Sequence, residues 1–253
     1  MMHFAVCFLF VILFLSLPTD EFDDAVMASR EEHAAGRSPV WVGEFMSSIS
    51  CDRVGHFFVS KSKGVAFFES GVFGERERIV VPFEERNGEL VLDRRFVPSN
   101  PSILPKAFLV ATYDEHVFLV PSGYIHGFCL DMRESPSRRC ELYINNLRPM
   151  ERVSKNGKLS IPAGYLVYKD LPELHALVAK VSTIGESTNE VNVTLDIGTA
   201  NNVYVGMQFE NEHGCPFEII ETHDRSSIAR VKSLAARTEI EIGMKVRTAR
   251  LSL

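Results

Sequence analysis

Val191-Asn-Val-Thr-Leu-Asp-Ile197 alternates apolar and polar residues along its whole length, and this pattern decides the fold class. Successive side chains of a strand point to opposite faces, so one face of 191–197 is buried and the other meets water. Gly198 ends the run. Beyond it, Val203-Tyr-Val-Gly206-Met207-Gln-Phe209, Phe217-Glu-Ile-Ile-Glu221, Ser227-Ile-Ala-Arg-Val231 and Ile240-Glu-Ile-Gly243-Met244-Lys-Val246 read as further short strands, with a turn at 223–226. An apolar-Gly-Met-x-apolar sequence thus occurs twice. Gly takes φ angles that a β-carbon forbids, so Gly206 and Gly243 mark sharp entries into a small curled sheet.

Towards the N-terminus, Asp170-Leu-Pro-Glu173 has the form of a helix start, with Asp170 as cap, Pro172 in the first turn and Glu173 completing a capping box. The helix it predicts covers about 171–179, or yields to a strand, because Val178, Val181 and Ile184 favour extension. Pro149 to Pro162 is charged and turn-rich, with Asn156-Gly157 inside it, and marks a module boundary. Before it, aromatic and β-branched runs between turn residues predict strands at 40–46, 56–60, 64–69, 78–83, 89–96, 107–113, 116–121 and 141–145. Asn87-Gly88 supplies the positive φ angles of a tight hairpin turn, and Asp114-Glu115 joins a second hairpin. Trp41-Val-Gly43 opens this first module. The predicted fold is therefore mostly β, an N-terminal antiparallel β module at 39–148 and a small β-barrel module at 165–253 with one short helix, joined by a connector at 149–164.

The order of strand, Gly198, Val205-Gly206-Met207, hairpin and Ile242-Gly243-Met244 over about 178–248 resembles the small β-barrel units of bacterial envelope proteins, namely the rod-shape-determining scaffold and the flagellar assembly protein T. The module that opens at Trp41 is similar to uncharacterised exported bacterial proteins. The resemblance implies a fold and a structural or docking role, and it assigns no reaction. Trp41, Gly198, Gly206 and Gly243 are structural in this reading.

Phe4 to Leu17 is apolar except for Ser16. It is shorter than the ~20 residues of a membrane-crossing helix and fits the apolar core of a secretory signal. No basic head precedes it and no Ala-x-Ala box follows, so residues 1–18 are expected to act as a signal peptide or a membrane anchor, with 4–17 as tether. Residues 19–38 read as a linker or short helix ending at Gly36. The protein is then exported, periplasmic or envelope-associated in a bacterial source.

Of the 253 residues, 45% are hydrophobic and 24% charged, which is globular usage. The net charge of −6 argues against a general nucleic-acid binder, which needs a clustered positive face. Five cysteines are present. In an oxidising compartment Cys129 and Cys140 are the preferred disulfide pair, because 131–139 reads as a polar loop between two strands. No C-x-x-C or H-x-x-x-H spacing occurs, so no metal and no cofactor are expected.

No nucleotide-binding or hydrolase motif is present, and no catalytic residue is assigned. The nearest candidates are His126 and Cys129 in Tyr124-Ile-His-Gly-Phe-Cys-Leu-Asp131. A thiolate beside a histidine is a nucleophile in principle, but in an extended segment positions 126 and 129 point to opposite faces. Arg133, Arg138, Arg139, Arg148, Arg152, Lys155 and Lys158 form a basic stretch that could meet phosphate, anionic lipid or an acidic cell-wall polymer. The sequence thus favours a non-enzymatic envelope protein that binds another protein or cell-wall material. The alternative is a hydrolase of unknown substrate with a pocket holding His126 or another histidine between the modules.

Overall fold

The structure, a computed structural model, describes residues 20–36, 39–50, 53–71, 77–93, 95–96, 104–136, 143–148, 151–183, 191–231 and 240–250. The apolar run at 4–17 lies outside them, as does Cys140. Among the described residues no helix is long and apolar enough to cross a membrane.

The segment read as linker or short helix is helix α1, Glu21–Ala34. The Asp20 carboxylate accepts from the Phe22 amide at 3.3 Å, and Glu21, Asp23 and Asp24 place negative charge against the positive end of the helix dipole. Phe22 and Ala25 pack on Phe58 and Ala66 of the first sheet. Glu32 ties the helix to a hairpin of that sheet: its carboxylate accepts from the Lys61 amide at 2.6 Å, the Ser62 hydroxyl at 2.6 Å and the Ser60 hydroxyl at 2.9 Å. Burial opposes its ionisation, yet the hydrogen bonds from Ser62, Lys61 and Ser60 outweigh that and hold the carboxyl below its ordinary value.

The first module is one antiparallel sheet of β1 (Gly43–Ser50), β2 (Arg53–Ser60), β3 (Gly64–Gly71), β4 (Glu77–Val81), β5 (Phe83–Arg86), β6 (Glu89–Leu92), β7 (Ala107–Tyr113), β8 (His116–Pro121), β9 (Ile144–Asn145) and β10 (Leu159–Ser160). The order is β4-β3-β2-β1-β9-β8-β7-β6-β5, with β10 also pairing β7. The two edge strands, β4 and β5, are consecutive in the chain and separated only by Pro82, which has no amide hydrogen to give a ladder. The sheet must therefore curl until its two edges meet, and it is nearly closed. Trp41, Phe45, Phe57, Phe67, Leu90 and Phe108 fill its interior, with Trp41 edge-on to Phe83 at 5.3 Å between centroids. Asn87 and Gly88 have φ of 54° and 83°, the paired positive angles expected of the β5–β6 turn.

β7 and β8 are buried on both faces, because their outer residues Leu109, Phe118 and Val120 are covered by helix α2, Ile125–Glu134. The segment weighed as extended is helical, and the helix takes 131–134 from the polar loop read at 131–139. Ile125, Phe128, Cys129 and Met132 recur at i, i+3, i+4 and i+7, a helical stripe that lies on the sheet. The helix expected at 171–179 is absent. A 3-10 turn occupies Ala163–Lys169, and 175–183 takes the strand alternative as β11 (His175–Thr183).

The second module is a closed six-stranded barrel, β11-β12-β15-β14-β13-β16, of β11, β12 (Val191–Leu195), β13 (Gln208–Glu210), β14 (Pro216–Thr222), β15 (Ser227–Val231) and β16 (Lys245–Thr248). Val178, Val193, Leu195, Phe209, Phe217 and Val246 fill it. Two predicted strands are shorter than read: 203–207 and 240–244 lead into turns, and only 208–210 and 245–248 are paired. Gly206 and Gly243 sit in those turns with φ of 96° and 88°, which is the entry role read from sequence. Gly198 serves differently. A β-carbon there would lie 2.2 Å from the His223 carbonyl oxygen and 2.6 Å from the Ser226 amide, so its hydrogen makes room for the β14–β15 turn.

Candidate functional site

Helix α2 stands between the two modules, and it and the 3-10 turn before it, Ser122–Tyr124, are pressed against the barrel by two missing β-carbons. A Cβ on Gly123 would meet the Gly206 carbonyl oxygen at 2.4 Å, and one on Gly127 the Ala249 carbonyl oxygen at 2.2 Å. Both are backbone atoms, so the approach is possible only with glycine. Most of the polar groups carried into this junction are satisfied there, Arg250 Nε being the exception. His126 is fully buried; its Nε2 donates to the Leu171 carbonyl at 3.3 Å, and its Nδ1 accepts from the Thr248 hydroxyl at 3.1 Å. The Thr248 oxygen in turn accepts from the Leu174 amide at 3.1 Å. Burial lowers the His126 pKa and so favours the neutral ring, and the Leu171 carbonyl, which can only accept, sets the tautomer with the proton on Nε2. Asp131 accepts from the Tyr143 hydroxyl at 2.8 Å and faces Arg250 at 3.4 Å, while Arg250 also reaches Glu134 at 2.7 Å and Glu173 at 3.1 Å. Tyr204 of the barrel donates to the Ser122 carbonyl at 2.7 Å and packs on Tyr168.

The expected candidate pair therefore lies on one helix turn, yet it is not a nucleophile and its base. Both nitrogens of His126 are committed to Leu171 and Thr248. Cys129 is a free thiol packed in the core beneath the helix, and burial pushes it up to about 12, so the thiolate that nucleophilic attack requires is not formed near neutral pH. Cys140, its expected disulfide partner, lies outside the described residues.

The other side of α2 is open. A cleft of about 420 Å³ runs between Arg133 of the helix, the Lys155 to Leu159 connector and the end of the 3-10 turn at Lys169 and Asp170. Arg133, Lys155, Lys158 and Lys169 line it, with Asp170 the single carboxylate among the lining residues. Arg133 donates to the Leu171 and Lys169 carbonyls at 3.4 Å, contacts that orient its guanidinium without neutralising it. The Lys158 amide is held by the Asp114 carboxylate at 2.7 Å, which fixes the connector against the β7–β8 hairpin. Of the basic stretch read from sequence, the fold brings Arg133, Lys155 and Lys158 together. Arg148 lines a different cleft, Arg152 is exposed, and Arg138 and Arg139 lie outside the described residues. Lys169 was missed because it stands beyond the connector in sequence and joins the others only through the 3-10 turn.

Comparison with protein-family models, curated proteins and solved structures finds no match for this chain. Geometry carries the functional reading. One further group was not expected: Glu115, His116 and Glu151, which the hairpin turn and the start of the connector bring within 4.8 Å of one another.

Proposed function

We propose that this protein is a non-enzymatic envelope protein that docks an anionic cell-wall polymer through the Arg133–Lys155–Lys158–Lys169 cleft. The observation that carries the reading is the charge of that cleft, four cations to one carboxylate in about 420 Å³. Oriented cations that are not already paired attract phosphate or carboxylate groups, and a guanidinium accepts two oxygens at once. The residues that a hydrolase reading would use, His126 and Cys129, are instead part of the junction that holds the two modules. The barrel supports a structural role of the kind its resemblance implies, and the run at 4–17 supports export with tethering, which would place the cleft near the wall. Fractionation with mass spectrometry of the mature N-terminus checks the address; an intact Met1 in the cytosolic fraction contradicts it.

Inorganic polyphosphate is a suitable probe of the cleft. In calorimetry it should bind the full chain, more weakly as salt rises, because exposed charges are screened over a Debye length of ~10 Å at 0.1 M. The Lys155→Glu, Lys158→Glu double variant should lose at least about tenfold in affinity, roughly 1.4 kcal/mol. Equal binding by the variant overturns the reading.

A further inference from the structure

A second cleft, of about 700 Å³, lies between α1, the start of β1 and the turn of the β7–β8 hairpin. His116 forms part of its wall. Its side chain is about nine-tenths buried, and neither ring nitrogen has a hydrogen-bond partner among the described residues. Neither nitrogen is a fully buried unpaired atom, so both remain accessible from the cleft and open to a ligand. The nearest group is the Glu151 carboxylate, with Oε1 3.9 Å from His116 Nε2, too far for a hydrogen bond.

Glu151 is not placed by chance. Its Oε2 accepts from the Arg148 amide at 2.9 Å, and its own amide donates to the Arg148 carbonyl at 3.0 Å, bonds that hold the carboxylate while its other oxygen stands nearest His116. Glu115 is the neighbour of His116 in the hairpin turn, and its carboxylate completes a trio whose ligand atoms all lie within 4.8 Å of one another. Of the two arginines on this cleft, Arg30 stands 3.8 Å from Glu44 and Arg148 uses its backbone on Glu151.

We infer that Glu115, His116 and Glu151 bind a first-row divalent cation of the zinc class. One imidazole nitrogen and two carboxylate oxygens form a borderline donor set that suits zinc better than magnesium or calcium, which take oxygen alone. Bonds of about 2.1 Å in tetrahedral geometry put ligand atoms about 3.4 Å apart, so the spacing closes with movement of about 1 Å in the exposed Glu115 side chain and in the Glu151 oxygen that Arg148 does not hold. A cation would give the His116 ring the partner it lacks and would pin the connector at Glu151 to the β7–β8 hairpin. Three protein ligands leave a coordination position facing the cleft, for water or an anionic group.

The test is titration of the metal-free full chain with Zn²⁺ by calorimetry, in parallel with thermal unfolding, and with Co²⁺ as a visible-absorption probe of the ligand set. One Zn²⁺ per chain and a metal-dependent rise in unfolding temperature are expected, with Co²⁺ bands typical of nitrogen and oxygen ligation. Glu151→Gln and Glu115→Gln, both at exposed carboxylates that leave the fold intact, should each weaken Zn²⁺ binding at least tenfold. His116→Asn should abolish it, and the two glutamate variants decide the matter if that protein does not fold. Lys155→Glu should bind Zn²⁺ as the parent does. Absence of micromolar binding, a different stoichiometry, or affinity unchanged in both glutamate variants overturns the inference.

Discussion

The two sides of helix α2 put similar chemistry to opposite uses. Against the barrel, His126, Asp131 and Arg250 are withdrawn from water and each meets a named partner; across the open cleft, Arg133, Lys155, Lys158 and Lys169 face solvent with one carboxylate among the lining residues. A buried polar group must be paired or the fold loses its desolvation energy, whereas an exposed cation costs the fold little and stays available. The contrast teaches that the titratable residues most conspicuous in the sequence, His126 and Cys129, are structural here, and that the residues able to meet a partner belong to the plain basic connector.

Substitutions should separate the two sides. The largest effect on stability is expected from Gly127→Ala, whose Cβ would be driven to 2.2 Å from the Ala249 carbonyl oxygen; the junction must open, at about 3 kcal/mol, read by chemical denaturation. Asp131→Ala should follow, at about 2 kcal/mol, because it removes the buried 2.8 Å hydrogen bond from the Tyr143 hydroxyl and one of the three carboxylates around Arg250. A smaller effect is expected from pH. His126 has its pKa lowered from 6.5 by burial, so the unfolded chain binds the proton first; stability from this residue is fully present above about pH 6.5 and is lost as pH falls towards the folded pKa. His126→Gln should flatten that acid slope, and a slope unchanged in the variant would remove His126 from the account. The smallest effect belongs to the cleft, where Lys155→Glu with Lys158→Glu should alter unfolding free energy by less than about 0.5 kcal/mol while weakening anion binding.

Much of the β architecture is legible in the sequence because strands with one wet face announce themselves. Val191–Leu195 alternates cleanly, Asn87-Gly88 names its turn, and Gly206 with Gly243 marks the two barrel entries. Helix α2 was not legible, although Ile125, Phe128, Cys129 and Met132 carry a helical stripe, because aromatic and β-branched residues around Gly127 look like strand until the sheet they cover is known. The capping signal at Asp170 was genuine local chemistry overridden by tertiary pairing: His175–Leu177 pairs β16, and Val178–Thr183 pairs β12. The cationic cleft was half visible, since the basic stretch read from Arg133 to Lys158 holds three of its four cations and stops short of Lys169. The Glu115–His116–Glu151 group left no motif at all, its third member lying 35 positions further along and joined only by the fold.

The most direct test of the contrast is an NMR titration of isotope-labelled full chain with inorganic polyphosphate. The result expected is that amide signals of Gly157, Lys158, Lys169 and Asp170 move with added probe while those of Gly127, Thr248 and Ala249 at the junction stay in place. Shifts confined to the junction, or the absence of any shift at the four cleft amides, would contradict it.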